Sequence, residues 1–181
     1  MLFGSNTIRV AFMATLLFFC SAVSAESSTL SDYRLGSGDL LSIQVFGEED
    51  LSMEIRLSDA GTIAYPFLGE LRVLNMTIGN LSKMIEQGLG DGYLLDPHVS
   101  ITVVEYRQFF INGEVQEPGG YPYQPGLTLQ KAVALAGGFT ERASKSKLFV
   151  SHDGETTDPR LVQLNTLIKP GDIITIEQSF F

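Results

Sequence analysis

Reactive side chains are scarce in this chain: among 181 residues there is one cysteine, there are two histidines, and there is no tryptophan. The cysteine, Cys20, falls inside an N-terminal leader, so everything after it has no thiol for a nucleophile, a soft metal site or a disulfide. With His98 and His152 as the sole imidazoles, a Cys/His pair is impossible and a metal centre would have to lean on carboxylates. Both histidines read as surface residues, His98 following a proline at a strand start and His152 standing beside a loop. No serine occupies a Gly-x-Ser-x-Gly elbow. Positive charge is also short: 12 Lys and Arg face 21 Asp and Glu, a net charge of −9. That balance has the wrong sign for nucleic acid or an anionic lipid surface, though it leaves a neutral sugar ligand open. Beyond the leader there is no apolar run long enough to cross a bilayer.

The leader itself is a secretory signal, residues 1–25. Arg9 supplies positive charge, residues 10–19 form a short apolar run, and Val23-Ser24-Ala25 puts small residues at the cleavage site. Phe19 stands where a lipoprotein cleavage site needs a small residue before Cys20, which argues against lipidation. Cleavage removes Arg9 and no acidic group, so the mature chain is more negative still. An exported chain without disulfides must be held by its core, and the length allows one domain or two small ones.

What is present is a repeated turn. Gly36-Ser37-Gly38-Asp39 runs into Leu40-Leu41-Ser42-Ile43-Gln44-Val45, and near the other end Lys169-Pro170-Gly171-Asp172 runs into Ile173-Ile174-Thr175-Ile176. In each copy glycine tolerates positive φ, aspartate can bond its own turn, and the alternating apolar residues favour a pleat. Leu41, Ile43 and Val45 fall on one face, as do Ile174 and Ile176. The two copies predict two related β modules in tandem.

Between them, residues 53–57 read as a strand joined through Ser58-Asp59-Ala60-Gly61 to a returning strand at 62–67, whose Pro66 marks an edge or a strand end. Residues 70–74 form another strand. Thr77 caps a helix carrying Ile78, Leu81, Ile85 and Leu89 and stopped by Gly90 and Gly92. A strand at 98–105 follows, and Arg107-Gln108 makes the seam between modules 30–106 and 107–178. In the second module a strand at 109–115 is followed by the turn Glu117-Pro118-Gly119-Gly120, a short strand at 121–123, and a helix from Thr128 to Ala136 ended by Gly137-Gly138. Strands are expected at 147–151 and 160–164, with Asp153-Gly154 a loop signal between them, and a last strand after Asp172. The fold class is α+β, with one helix on a small mixed sheet in the second module, as in the β-grasp.

No arrangement of groups points to catalysis. Glu48-Glu49-Asp50 is a carboxylate run of the kind that is usually solvated loop, not a glycosidase pair. Gly36-Ser37-Gly38 precedes a strand and opens no helix, so it lacks the context of a phosphate loop. Tyr121 and Tyr123, on one side of a short strand, and Arg107 at the seam are candidate sugar or interface contacts. Arg107 and Arg142 are otherwise expected to be solvated. Gly38, Gly61, Gly113, Gly119, Gly120, Gly137, Gly138 and Gly171, with Pro118, Asp39 and Asp172, are assigned to turns. No cofactor and no metal is expected.

The same residues resemble the outer-membrane polysaccharide export (Wza-like) family. Tyr33-Arg34-Leu35-Gly36-Ser37-Gly38-Asp39, Asp59-Ala60-Gly61-Thr62-Ile63, Pro66-Phe67-Leu68-Gly69 and Asp96-Pro97-His98-Val99 are similar to its polysaccharide export domain. Ile111-Asn112-Gly113-Glu114-Val115, Pro118-Gly119-Gly120-Tyr121 and Ala136-Gly137-Gly138 are similar to its soluble-ligand-binding β-grasp (SLBB) module. The family's lipid-anchoring cysteine and C-terminal membrane helix have no counterpart here, which resembles the short periplasmic class. The resemblance implies a non-enzymatic export component in the periplasm, associated with the outer membrane and assembled as a homo-oligomeric ring. Its implied partners are the polysaccharide, an inner-membrane polysaccharide co-polymerase or tyrosine autokinase, and a separate outer-membrane channel protein. The other reading of the residues is a monomeric periplasmic module that binds a sugar or a protein and exports nothing.

Overall fold

A computed structural model describes residues 33–152 and 159–179. The signal leader, the polar residues 26–31 behind it and the Asp153-Gly154 loop signal lie outside those residues.

The buried apolar residues form two clusters with no member in common, one running from Leu35 to Ile101 and the other from Phe109 to Ile176. In the first module, β1 (Leu40–Val45) lies between β2 (Met53–Arg56) and β5 (Val99–Glu105), antiparallel to both. Alternation places Leu41, Ile43 and Val45 on the buried face while Gln44 is exposed. Helix α1 (Ile78–Gly90) adds Leu81, Ile85 and Leu89 to that core. Its first turn is closed by the Thr77 hydroxyl, which accepts from the Asn80 N–H at 3.3 Å. Each of these fully buried aliphatic side chains contributes roughly 1.5–3 kcal/mol relative to an exposed one.

The hairpin differs from the expected one. β3 (Thr62–Tyr65) pairs with β4 (Gly69–Arg72), not with β2. β2 already hydrogen-bonds to β1, and the link continues past its end, where the Leu57 N–H donates to the Asp39 carbonyl at 2.9 Å and the Gly38 N–H to the Leu57 carbonyl at 3.1 Å. The Ser58–Gly61 turn therefore leads away from that sheet. The reversal is made at Pro66-Phe67-Leu68, where Phe67 adopts φ 63° and Gly69 φ 72°. Pro66 falls just past the strand's end, where a missing N–H costs no ladder bond.

The second module is a five-stranded sheet in the order β7-β6-β10-β8-β9, formed by β6 (Phe109–Gly113), β7 (Gly119–Tyr121), β8 (Ala143–Ser151), β9 (Arg160–Leu161) and β10 (Ile173–Gln178). β10 runs parallel to β6 and antiparallel to β8, and α2 (Leu129–Leu135) lies on the crossover that a parallel pair demands. Leu129, Ala132, Val133 and Ala136 enter one core with Phe109, Ile111, Leu148, Ile174 and Ile176. The helix ends as expected, with the Gly138 N–H donating to the Val133 carbonyl at 2.9 Å and the Gly137 N–H to Ala134 at 3.2 Å, both glycines at positive φ. Gly113 is held more tightly: at φ +83° a side-chain Cβ would stand 2.0 Å from the Ile176 carbonyl oxygen.

Strand boundaries also move, among them that of β6, which ends at Gly113 and not at residue 115. β7 comprises Gly119–Tyr121, so Gly119 and Gly120 belong to the strand and Tyr123 does not. Pro122 stops the ladder because it has no N–H to donate. Gly120 is not at positive φ, and what it supplies is room, since a Cβ there would meet the Gln108 and Phe110 side chains within 3 Å. β8 starts four residues early, and β9 ends at Leu161 because residues 163–166 close a turn, with the Thr166 N–H donating to the Gln163 carbonyl at 3.0 Å.

Candidate binding cleft at the module seam

The repeated Gly-Asp turn is reproduced atom for atom. Asp39 Oδ2 accepts the Gly36 N–H at 2.8 Å, and Asp172 Oδ2 accepts the Lys169 N–H at 2.8 Å. Both turns close by a backbone bond over the same span, Asp39 N–H to Gly36 at 3.1 Å and Asp172 N–H to Lys169 at 3.2 Å. Gly38 and Gly171 sit at φ 92° and 84°, and both carboxylates are buried. The likeness ends with the turn, because β1 is the centre of a three-stranded antiparallel sheet whereas β10 has one parallel and one antiparallel neighbour.

A buried carboxylate needs its lone pairs answered. For Asp39 the remaining donors come from both sides of the seam. Tyr33 Oη donates to Oδ2 at 2.6 Å, and the backbone N–H of Arg107 donates to Oδ1 at 2.8 Å. The Arg107 guanidinium follows, with Nη1 3.0 Å from the Tyr33 hydroxyl that accepts from it and 3.5 Å from Asp39 Oδ2. It lies so close over Gly36 that a Cβ there would come within 2.0 Å of Nη1. Arg107 is thus only 20 % exposed rather than solvated as expected. Burial first, and then the bond to Asp39, push the Tyr33 phenol far above its ordinary range.

Asp172 is completed differently, by His152 Nδ1 at 2.6 Å from Oδ1. This corrects the reading of His152 as a surface residue: the β8–β10 pairing brings it beside the turn. His98 is exposed, its Nδ1 3.1 Å from the Asp96 carbonyl. Arg142 is exposed as expected and donates to Gln178 Oε1 at 2.8 Å. The Glu48-Glu49-Asp50 run is solvated.

Between the modules opens a cleft of about 970 Å³, with Ser37, Gly38 and Arg56 on one side, Tyr106 to Gln108 along the seam, and Phe110, Pro122 to Pro125, Gly171 and Ile173 on the other. Three rings cross the seam edge to face: Tyr33 to Tyr106 at 5.0 Å and 82°, Tyr106 to Tyr123 at 5.4 Å and 74°. Burial raises the Tyr106 and Tyr123 phenols as well. Arg56 donates to the Gly38 carbonyl and to Glu105 Oε2, both at 2.6 Å. Phe110 and Ile173, cross-strand neighbours on β6 and β10, are 49 % and 41 % exposed.

Of the three contact candidates, Arg107 and Tyr123 are brought to this cleft and Tyr121 is not. Tyr121 stacks on Phe109 at 5.9 Å and 27°, and its hydroxyl donates to the Glu117 carbonyl at 2.5 Å. The two tyrosines part because the strand ends between them. Tyr33, Tyr106 and Phe110 were not anticipated. Phe110 had a signal, since in a strand holding Phe109-Phe110 one ring must face out. Among the described residues no group of three or more His, Cys, Asp and Glu is placed to hold a metal, and no helix is long and apolar enough to cross a membrane.

Comparison with known proteins accords with these two cores. Residues 27–104 match the family model described as polysaccharide biosynthesis/export protein, and residues 108–158 match the SLBB domain. The exopolysaccharide production protein ExoF of Rhizobium meliloti (strain 1021) is 30 % identical over 158 residues, covering 81 % of this chain and 37 % of that protein. The EPS I polysaccharide export outer membrane protein EpsA of Ralstonia nicotianae is 27 % identical over 181 residues, covering 81 % of this chain and 47 % of its own length. Its counterpart in Ralstonia solanacearum is 25 % identical over 180 residues, with shares of 80 % and 48 %. The chain spans less than half the length of these curated relatives. It belongs to the polysaccharide export family, carrying a polysaccharide biosynthesis/export domain followed by an SLBB domain.

Proposed function

We propose that this chain is a periplasmic, non-enzymatic component of a capsular or exopolysaccharide export machine, associated with the outer membrane and assembling into an oligomeric conduit or adaptor. The observation that carries the proposal is the order of the two domains along the chain, an export domain and then an SLBB domain. The relatives whose names speak of exopolysaccharide production and polysaccharide export support it. In this reading residues 1–25 are a cleaved signal, residues 30–106 the export domain and 107–178 the SLBB domain. The partners are the polysaccharide, an inner-membrane polysaccharide co-polymerase or tyrosine autokinase, and a separate outer-membrane channel protein.

Assembly has physical support in the surface. β2, β7 and β9 are sheet edges, and Phe46 (91 % exposed) and Leu95 (107 %) are large apolar groups left in solvent. Phe67 and Tyr93, also exposed, meet at 5.0 Å. Two measurements test the reading. Light scattering on the leaderless protein is expected to give particles of more than two subunits, and a monomer at high concentration would remove the conduit. Deleting the gene is expected to retain polymer inside the envelope, and normal surface polysaccharide would end the export reading.

A further inference from the structure

Taking the polysaccharide-handling reading as its basis, we propose that the cleft at the module seam is a binding site for an uncharged glycan segment, with the Phe110 ring as its stacking platform. A sugar presents a flat face of C–H bonds and a rim of hydroxyls, so its site needs an exposed aromatic face bordered by hydrogen-bonding groups. Phe110 is half exposed, and its ring edge lies over Gly120 of the adjacent strand, Cε1 standing 2.9 Å from where a Cβ would be. No side chain at Gly120 lifts the ring off the sheet, and Phe110 lines the cleft. The rim is built from amides and phenols: Gln108 and Gln124 both line the cleft, with Tyr106 and Tyr123 beside them. Each can donate and accept, as a hydroxyl requires.

Charge decides the class of sugar. Two guanidiniums line the cleft, and each is answered by a carboxylate, Arg56 by Glu105 at 2.6 Å and Arg107 by Asp39 at 3.5 Å. A uronate or sulfated unit would have to compete with those carboxylates in a protein of net charge −9. A neutral unit meets no such opposition. At about 970 Å³ the cleft is at the upper end of small-molecule sites, roughly 300–1,000 Å³, which suits consecutive residues of a chain.

The test titrates the leaderless protein with cellohexaose, isomaltohexaose and hexagalacturonate, read by calorimetry and by amide NMR shifts at low and moderate salt. At least one neutral hexasaccharide is expected to bind at least tenfold more tightly than the galacturonate, shifting amides in 106–110 and 120–124. Phe110→Ala is expected to weaken that binding at least tenfold. Phe110→Leu, which keeps an apolar side chain and removes the flat ring, should lose nearly as much at an unchanged melting temperature. Tighter binding of the galacturonate, unaltered binding in both variants, or no binding of any probe overturns the proposal. So does self-association that Phe110→Ala abolishes while sugars do nothing, which would make the cleft a protein interface. A deletion strain separates this idea from its basis: if Phe110→Ala restores secretion as fully as wild type, the export reading stands and the glycan site falls. If deletion leaves secretion normal, the export reading falls and the titration alone judges the cleft.

Discussion

Asp39 is the residue on which most depends. It is fully buried, and Tyr33, Gly36 and Arg107 all donate to it. Removing one partner of a buried charged pair typically costs about 3–5 kcal/mol, and here the partly buried donors of Tyr33 and Arg107 would lose their acceptor. Asp39→Ala should therefore lower the melting temperature by roughly 10 °C, taking about 2–4 °C per kcal/mol for this size. Asp172→Ala, at the matching position, removes bonds to Lys169 and His152, and a calorimetric scan should show it losing less. Tyr33 carries a pH prediction. Its phenol is raised above the ordinary 10.0 by burial and by Asp39, so the folded chain keeps a proton that the unfolded chain gives up. The stability this contributes is complete below pH 10 and is lost as the pH climbs beyond it. Wild-type melting temperatures should hold level as far as this group is concerned from pH 8 to about pH 10 and fall beyond it, and Tyr33→Phe should reduce that fall, the raised phenols of Tyr65, Tyr106 and Tyr123 accounting for what remains.

At the level of elements, the caps are plain in sequence and simple to test. Thr77→Ala and Thr128→Ala each remove a hydroxyl that accepts from the first helical turn, from Asn80 and Lys131 respectively. Each should cost about 1 kcal/mol in denaturant unfolding. Gly113→Ala forces a Cβ against the Ile176 backbone across the parallel pair, and is expected to prevent the second module from folding, read as loss of dispersed amide signals from 109–178. The caps, the glycine stops and the alternating strands were legible because their signals are local. The β2–β3 hairpin was misread because a turn signature says where the chain bends, not which strand is already occupied; β1, earlier in the chain, had claimed β2. The cleft was half legible for the same reason. Arg107 and Tyr123 stood at the seam and beside a turn, but Tyr33 joins Arg107 across 74 positions, and spacing does not announce a contact of that range.

For the whole molecule, two cores with no shared residue predict two foldons. What couples them is the Asp39–Tyr33–Arg107 contact and the three rings beside it. Arg107→Ala should leave both cores protected from hydrogen exchange while amides at 33–38 and 106–110 exchange faster, and the single unfolding transition should broaden toward two. Unchanged exchange at the seam would mean the guanidinium contributes nothing to the coupling. The family assignment was legible because seven fragments follow in the family's order between Tyr33 and Gly138, even though each fragment alone is weak.

The connector between β5 and β6 is Tyr106-Arg107-Gln108, and every member is tied down: Tyr106 between two rings, the Arg107 N–H to Asp39 at 2.8 Å, the Gln108 carbonyl to the Gly171 N–H at 3.1 Å. A joint fastened at each link has no hinge. If copies of this chain surround a moving polymer, any widening or tightening has to come from slippage between neighbours, each subunit tilting as a stiff stave in a barrel.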